Sequence, residues 1–323
     1  MYRQRFKKVN QNSLMKKSNI INTIYYQMKP LIPRRFQIWI RSKIALQKYR
    51  SHSNSWPIIE NAAKPPDGWP GWPNHKQFAL VLTHDVETAL GQKKCYQLID
   101  IEEQLGFRSS FNFVPERYEV SSKLRKNLEH QGFEVGVHGL KHDGKLFTSQ
   151  KVFLERAEKI NIYLKTWGAT GFRSPAMHHN LNWLHHLNIV YDSSTFDTDP
   201  FQPQPDGVET IFPFSPNAAA SLKKYIELPT TLPQDFVLFI LLKEVKIDTW
   251  KSKLAWIYKN AGMALLNTHP DYMNFGTVKG GFEEYPVQYY VDFLHYVKTK
   301  YGGQYWHALP KEAASFIKNN NSI

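Results

Sequence analysis

Phe78-Ala79-Leu80-Val81-Leu82-Thr83-His84-Asp85-Val86-Glu87 opens as a continuous apolar run and ends in two carboxylates. Phe78 to Thr83 reads as a strand by that run. In extended chain residues 85 and 87 point the same way, so both acids can face one rim. One could hold a metal ion while the other stays free as a base. The competing reading is an acidic loop, or Glu87 as a charge at a helix N-terminus.

From this strand onward the pattern repeats. Helices are expected at Lys94–Gln104, Ser121–Gln131, Gln150–Lys165, Pro286–Tyr301 and Pro310–Lys318. Strands are expected at 108–114, 133–137, 170–172, 188–191, 225–228, 263–268 and 304–307. Such β-α units imply a parallel sheet, closed or nearly closed into a barrel. No internal repeat is present, and the polar tail from Asn319 to Ser322 should fray.

The polar residues fall where a barrel would use them. His138 and His142 follow one expected strand, Arg173 the next, Asp192 another and His269 a fourth. In a parallel barrel the C-terminal strand ends share one face, where active sites are built. His138-Gly139-Leu140-Lys141-His142 puts two imidazoles at a spacing that can grip one ion. The bland alternative is two solvated loop histidines in a chain that holds 13. Arg173, in Gly171-Phe172-Arg173-Ser174-Pro175, would depress and orient a nearby carboxylate, or else form a surface ion pair. His269 closes an apolar strand and is otherwise a packed or capping histidine. His178, His179, His185 and His186 read as surface or rim residues.

Ahead of the barrel lie two further segments. Residues 1–52 form a basic arm. Among the first 50 residues are thirteen Lys or Arg and no acid, which leaves twenty-eight of each sign in the rest of the 323-residue chain. A neutral body argues against a nucleic-acid ligand. Within the arm Arg34–Arg50 reads as a helix, with Phe36, Trp39, Ile40, Ile44, Ala45 and Leu46 at helical spacing. That helix would either meet an anionic membrane surface or pack onto the barrel through its apolar face. Residues 53–76, rich in Pro and Trp, read as a linker that packs and is no free tether. The lone Cys95, the lack of an apolar run of about 18 residues and the polar N-terminus suggest a cytoplasmic protein, peripheral at the inner membrane face.

In this order the motifs resemble the polysaccharide deacetylase, or NodB-homology, family over about residues 77–310, within a catalytic domain expected at 77–318. Its Thr-Phe-Asp-Asp is similar to Thr83-His84-Asp85-Val86. Its His-(Ser/Thr)-x-x-His resembles residues 138–142, and its Arg-x-Pro is met by Arg173-Ser174-Pro175. The Asp-Ser pair is Asp192-Ser193, and Leu-x-x-His is Leu266-Asn267-Thr268-His269. The resemblance implies a distorted (β/α) barrel that removes N-acetyl groups from a glycan, with one divalent ion, zinc or else cobalt or another. The family's second aspartate falls on Val86, which cannot bind metal. Some members carry an acid-x-acid pattern instead, which Asp85-Val86-Glu87 resembles. On that pattern Glu87, His138 and His142 hold the ion and Asp85 is the base, with the reverse use of the two acids left open. The resemblance further implies Arg173 as holder of Asp85, His269 as acid with Asp192 orienting it, and the Ala176 N–H as oxyanion donor. Two rivals remain: a same-fold hydrolase of a non-sugar amide, and a sugar-binding protein whose metal site has decayed at Val86.

Overall fold

The computed structural model of the protein describes residues 32–52, 55–217, 223–276 and 280–320. At its centre is β1 (Phe78–Val86), buried along all nine residues. β7 (Met263–Thr268) pairs with it over Ala79–His84. The opposite edge is shared: β10 (Tyr305–His307) lies beside Phe78–Leu80 and β2 (Ser110–Phe113) beside Thr83–Val86. From β2 the sheet continues through β3 (Glu134–His138), β4 (Gly171–Arg173), β5 (Tyr191–Asp192) and β6 (Ile226–Glu227). Every pairing in this eight-stranded sheet is parallel. After β6 the chain leaves strand geometry, yet the Thr231 and Leu232 N–H groups both donate to the Leu265 carbonyl of β7. The ring thus closes through loop backbone, which makes this a distorted (β/α) barrel, as expected.

Alternation along β1 sorts its side chains. Phe78, Leu80, Leu82 and Val86 pack into the layer of surrounding helices. Ala79 and Val81 point inward with Met263 and Leu265 of β7, Tyr191, Ile226 and Leu228. The next inward positions on the same two strands are Thr83 and Asp85, and Asn267. The barrel interior is therefore apolar below and polar above.

The flanking helices start and stop on ordinary signals. Thr88, Ser121 and Ser149 cap α2 (Ala89–Leu105), α3 (Ser122–His130) and α4 (Gln150–Trp167) by accepting backbone N–H bonds. Gly106 and Gly168, in the left-handed region, end α2 and α4. A short α5 (Leu181–Leu184), then α6 (Asp248–Lys259), α7 (Gln288–Tyr301) and α8 (Pro310–Asn319) complete the layer. β8 (Met273–Asn274) and β9 (Tyr285–Pro286) pair apart from the barrel. β1, β3, β4 and β5 end one to three residues later than the apolar runs suggest, so Asp85, His138, Arg173 and Asp192 belong to strand ends. α6 and a π-helical turn at Phe236–Leu241 were not anticipated. His185, expected at the surface or rim, is buried and bonds the Lys223 and Asn217 carbonyls.

Residues 1–31 lie outside the described residues. The helix expected at Arg34–Arg50 is present as α1 (Arg34–Ser51). It packs against the π-helical turn, with Arg41 over the Phe236 ring. Its inward residues include Gln37, Ile38, Ser42 and Ala45, while Phe36, Trp39 and Ile44 face outward. The expected apolar stripe is therefore not the packing face. No described helix is long and apolar enough to cross a membrane.

The Pro/Trp-rich segment is fastened down. Trp56 meets Phe201 edge-on, and the buried Lys253 bonds the Pro57 carbonyl and Asp197. Trp72 is buried, packs on Trp306 and Phe316, and donates Nε1–H to the Ala261 carbonyl at 2.7 Å. Trp72→Ala should cost about 3–5 kcal/mol in urea unfolding at unchanged slope, as large aromatic deletions do. A loss under about 1 kcal/mol would mean that the segment only lies on the barrel.

Candidate active site

The rim is organised around Asp85. Its Oδ1 accepts from Asn112 Nδ2 at 2.9 Å and from Arg173 Nη1 at 3.3 Å. Its Oδ2 accepts from Asn267 Nδ2 at 2.9 Å and lies 3.9 Å from His138 Nδ1. Burial alone would raise this carboxyl, but the charges of His138, Arg173 and His269 and the Asn112 bond hold it at about 2. Asp85 is thus an ion at any ordinary pH. Gly136 leaves the room this needs, since a Cβ there would stand 2.0 Å from Asn112 Oδ1.

Arg173 is fully buried. Its Nε donates to the Ser193 carbonyl and Nη2 to Ser193 Oγ, both at 2.8 Å. Nη1 serves Thr83 Oγ1, Asn267 Oδ1 and Asp85. β4 also acts through its backbone. The Arg173 carbonyl faces His138 Nδ1 at 3.1 Å. A carbonyl only accepts, so Nδ1 carries the proton and Nε2 keeps its lone pair. Burial holds the His138 pKa at about 4, so the ring is neutral at neutral pH and charged only in the acid range where Asp85 itself titrates.

Glu87, just past β1, takes a bond from His142 Nε2 at 3.0 Å and one from the Tyr272 hydroxyl at 3.2 Å. The turn between the two histidines depends on Gly139, at φ 63°, where a Cβ would stand 2.5 Å from Pro175 Cδ. Glu87, His138 and His142 bring one ligand atom each within 4.8 Å of one another. Two imidazoles and a carboxylate are a donor set that suits zinc, with room for a fourth ligand. The residues therefore fit a divalent ion. Val86 has no part in this; it is buried among apolar side chains.

His269 enters from the end of β7. Its Nδ1 bonds Asp235 Oδ1 at 2.7 Å, and its backbone N–H bonds Asp235 Oδ2 at 2.8 Å. Tyr285 donates to the same carboxylate at 3.0 Å. Burial would lower this imidazole, but Asp235, together with the charges of Glu87 and Asp85, outweighs it and the pKa rises to about 9. His269 is thus a cation at neutral pH. Its expected partner was Asp192, and this is corrected. Asp192 accepts from the Ser194 N–H and hydroxyl and lies against Glu227, where burial raises its pKa. Ala176 borders the same space at φ 55°, a conformation that is uncommon for a residue with a Cβ and that gathers at functional sites.

Asp85, Glu87, His138, His142, Ala176 and His269 all line one cavity of about 710 Å³. Arg173 stands behind it, holding Asp85. Asn112, Asn267 and Asp235 were missed. Asn267 lies inside the quoted Leu-x-x-His stretch and could have been read as inward by its alternation with His269. Asn112 and Asp235 carry no such signal.

No family model matches the sequence, and no curated protein matches it significantly. Solved structures do match in fold. A protein assigned as a polysaccharide deacetylase from Mycobacterium smegmatis superimposes with TM-score 0.60 at 14% identity, over 80% of this chain and 96% of that one. PuuE allantoinase gives 0.61 at 13% identity, over 83% and 99%. Another protein assigned as a polysaccharide deacetylase, from Pseudomonas aeruginosa PAO1, gives 0.59 at 13%, over 83% and 100%. At these identities the likeness is one of fold, and it supports the resemblance to the polysaccharide deacetylases that the motifs carry.

Proposed function

We propose that this chain is a metal-dependent hydrolase that removes N-acetyl groups from an N-acetylhexosamine-containing polysaccharide or lipid-linked glycan, with residues 77–318 as its catalytic domain. The observation that carries the reading is the convergence, in one cavity, of the Glu87/His138/His142 donor set with an ionised carboxylate and a protonated imidazole. Glu87, His138 and His142 would hold a divalent ion, zinc first among candidates, which would supply Lewis acidity for amide hydrolysis. Asp85 takes the proton of the attacking water, and Arg173 fixes the carboxylate for it. His269 gives its proton to the leaving amine, with Asp235 holding the ring in place. The Ala176 N–H donates to the developing oxyanion.

Acetate release from N-acetylated glycans, with and without added divalent metal, tests the reading. A non-sugar amide substrate is the second reading, favoured by the fold likeness to an allantoinase. Amine release from small ureides or amides without acetate from any glycan would select it.

His138→Ala, His142→Ala or Glu87→Gln should lower bound metal and activity together while unfolding stays cooperative. Full metal content in any of the three would remove that ligand from the set. Asp85→Asn should keep the ion but lose about 10²–10⁴ in rate, the usual contribution of a general base. Loss of metal in Asp85→Asn with retention in Glu87→Gln would exchange the two roles.

The pH profile follows from His269. The acid is charged below its pKa, so the rate should fall as pH rises through about 9. Asp235→Asn removes the negative partner, lowers that pKa and should move the alkaline limb to lower pH. An unmoved limb would mean that another group is the acid.

We also infer a membrane-facing role for the outer side of α1. Phe36 and Trp39 stack there with rings 5.6 Å apart, and Lys43 approaches Trp39. Aromatic and basic groups side by side suit an anionic bilayer surface, on the cytoplasmic side if the glycan is carried on lipid. Co-sedimentation should occur with anionic vesicles, not neutral ones, and weaken with salt and in Phe36→Ser/Trp39→Ser. Equal binding of both vesicle types, or none, would refute it.

A further inference from the structure

α1 presents the wrong face inward for a surface helix. Arg34, Gln37, Arg41, Ser42 and Lys48 are buried or half-buried on α1, beside Ile38, Ile40 and Ala45. Phe36, at 51% exposure, and Trp39, at 55%, point away. A helix packed on a core shows the reverse pattern, and burying two guanidinium groups against apolar matter is costly. Ile38 and Ala45 join the core, and the polar part of the stripe meets the cavity. Arg34, Gln37 and Arg41 form one of its walls, facing the rim that carries Asp85 and His269.

The cations of that wall differ in what they face. Arg34 is held by Glu283, with Nη2 to Oε1 at 2.5 Å. Of the cavity's other acids, Glu284 is taken by Lys94 at 2.8 Å, and Glu87 by His142. Among the described residues no carboxylate stands within 4.0 Å of the Arg41 guanidinium. Its Cζ lies 4.6 Å from the centroid of the Phe236 ring, a cation–π contact. Phe236 packs on Tyr272 at 4.9 Å, and Tyr272 on His269 at 5.2 Å. Two aromatic rings therefore separate this cation from the proton donor.

We infer that Arg41 is the centre of an anion subsite, and that the substrate carries an oxyanion, phosphate or carboxylate, one or two sugar rings from the acetamido group that is cleaved. A planar guanidinium seated over an aromatic ring and without a carboxylate partner is suited to bidentate recognition of such a group. The inference names a substrate class for the reaction proposed above and rests on that reading.

The test compares the full chain with R41Q and R41K. In calorimetric titration with inorganic phosphate, R41Q should bind about 10- to 100-fold more weakly, the usual worth of a charged hydrogen bond. Both proteins keep Glu87, His138 and His142, so phosphate held at that cluster contributes equally and cancels. Acetate release is then followed from an N-acetylhexosamine, its 1-phosphate and its disaccharide with a uronic acid. One anionic substrate should be preferred, and which one tells phosphate from carboxylate. R41Q should raise its KM by a similar factor with little change in kcat, and R41K should fall between. If acetate appears but neutral and anionic sugars react alike, and R41Q binds phosphate as the wild type does, the subsite is refuted and deacetylation stands. If no sugar yields acetate while the phosphate difference persists, the proposed reaction falls and the anion site stands. If R41Q does not fold, R41K carries the comparison: phosphate binding and KM both as in wild type would overturn the need for a planar guanidinium.

Discussion

A guanidinium without solvent exposure at the top of a barrel is tolerable only if each of its nitrogens has an acceptor. For Arg173 the Ser193 carbonyl and hydroxyl, Thr83, Asn267 and Asp85 provide them. Stripping a buried ion pair of one member costs about 3–5 kcal/mol. Asp85 is therefore as much a part of the fold as of the chemistry. Arg173 also reaches the neighbouring strand by its backbone, since its carbonyl fixes the His138 proton on Nδ1. β4 has only three residues, yet it orients the carboxylate with its side chain and a histidine with its main chain. A shift of its register by one residue would turn both away.

What the sequence displays is what alternation and strand ends display. Apolar runs mark β1 and β7, and a polar residue at the end of such a run must sit on the rim. Asp85, His138, Arg173 and His269 are legible for that reason. Asp192 obeys the same rule and is still misplaced. A strand end says which rim a side chain joins and not which neighbour it meets, and Asp192 meets Ser194 and Glu227. The true partner of His269, Asp235, precedes Phe236–Leu241, an unbroken apolar stretch that winds as a π-helical turn. Periodicity has no template for that shape. Asn112 hides differently, since a single amide within Ser110–Phe113 is what many half-buried strands contain.

α1 shows a further limit. Its apolar positions recur as a packed helix would have them, yet the residues that face the protein are largely the polar ones. Pattern reading assumes that the interior is apolar, and that assumption fails where a helix closes a water-filled cleft. The error carries information: a helix inverted in this way identifies a polar cavity beneath it.

The division of labour in the cavity follows from where its parts come from. The groups suited to bond cleavage stand on β1, β3, β4 and β7, strands locked to each other by continuous parallel pairing. The opposite wall belongs to α1 and the π-helical turn, which meet the barrel through side chains such as Arg41 on Phe236. Side-chain packing of this kind can change residue by residue without disturbing the sheet, whereas a strand end cannot move without its neighbours. Substrate choice is thus free to reside in the added wall while the reaction stays with the barrel. The barrel part of this scaffold is the fold shared at 13–14% identity with proteins of different names.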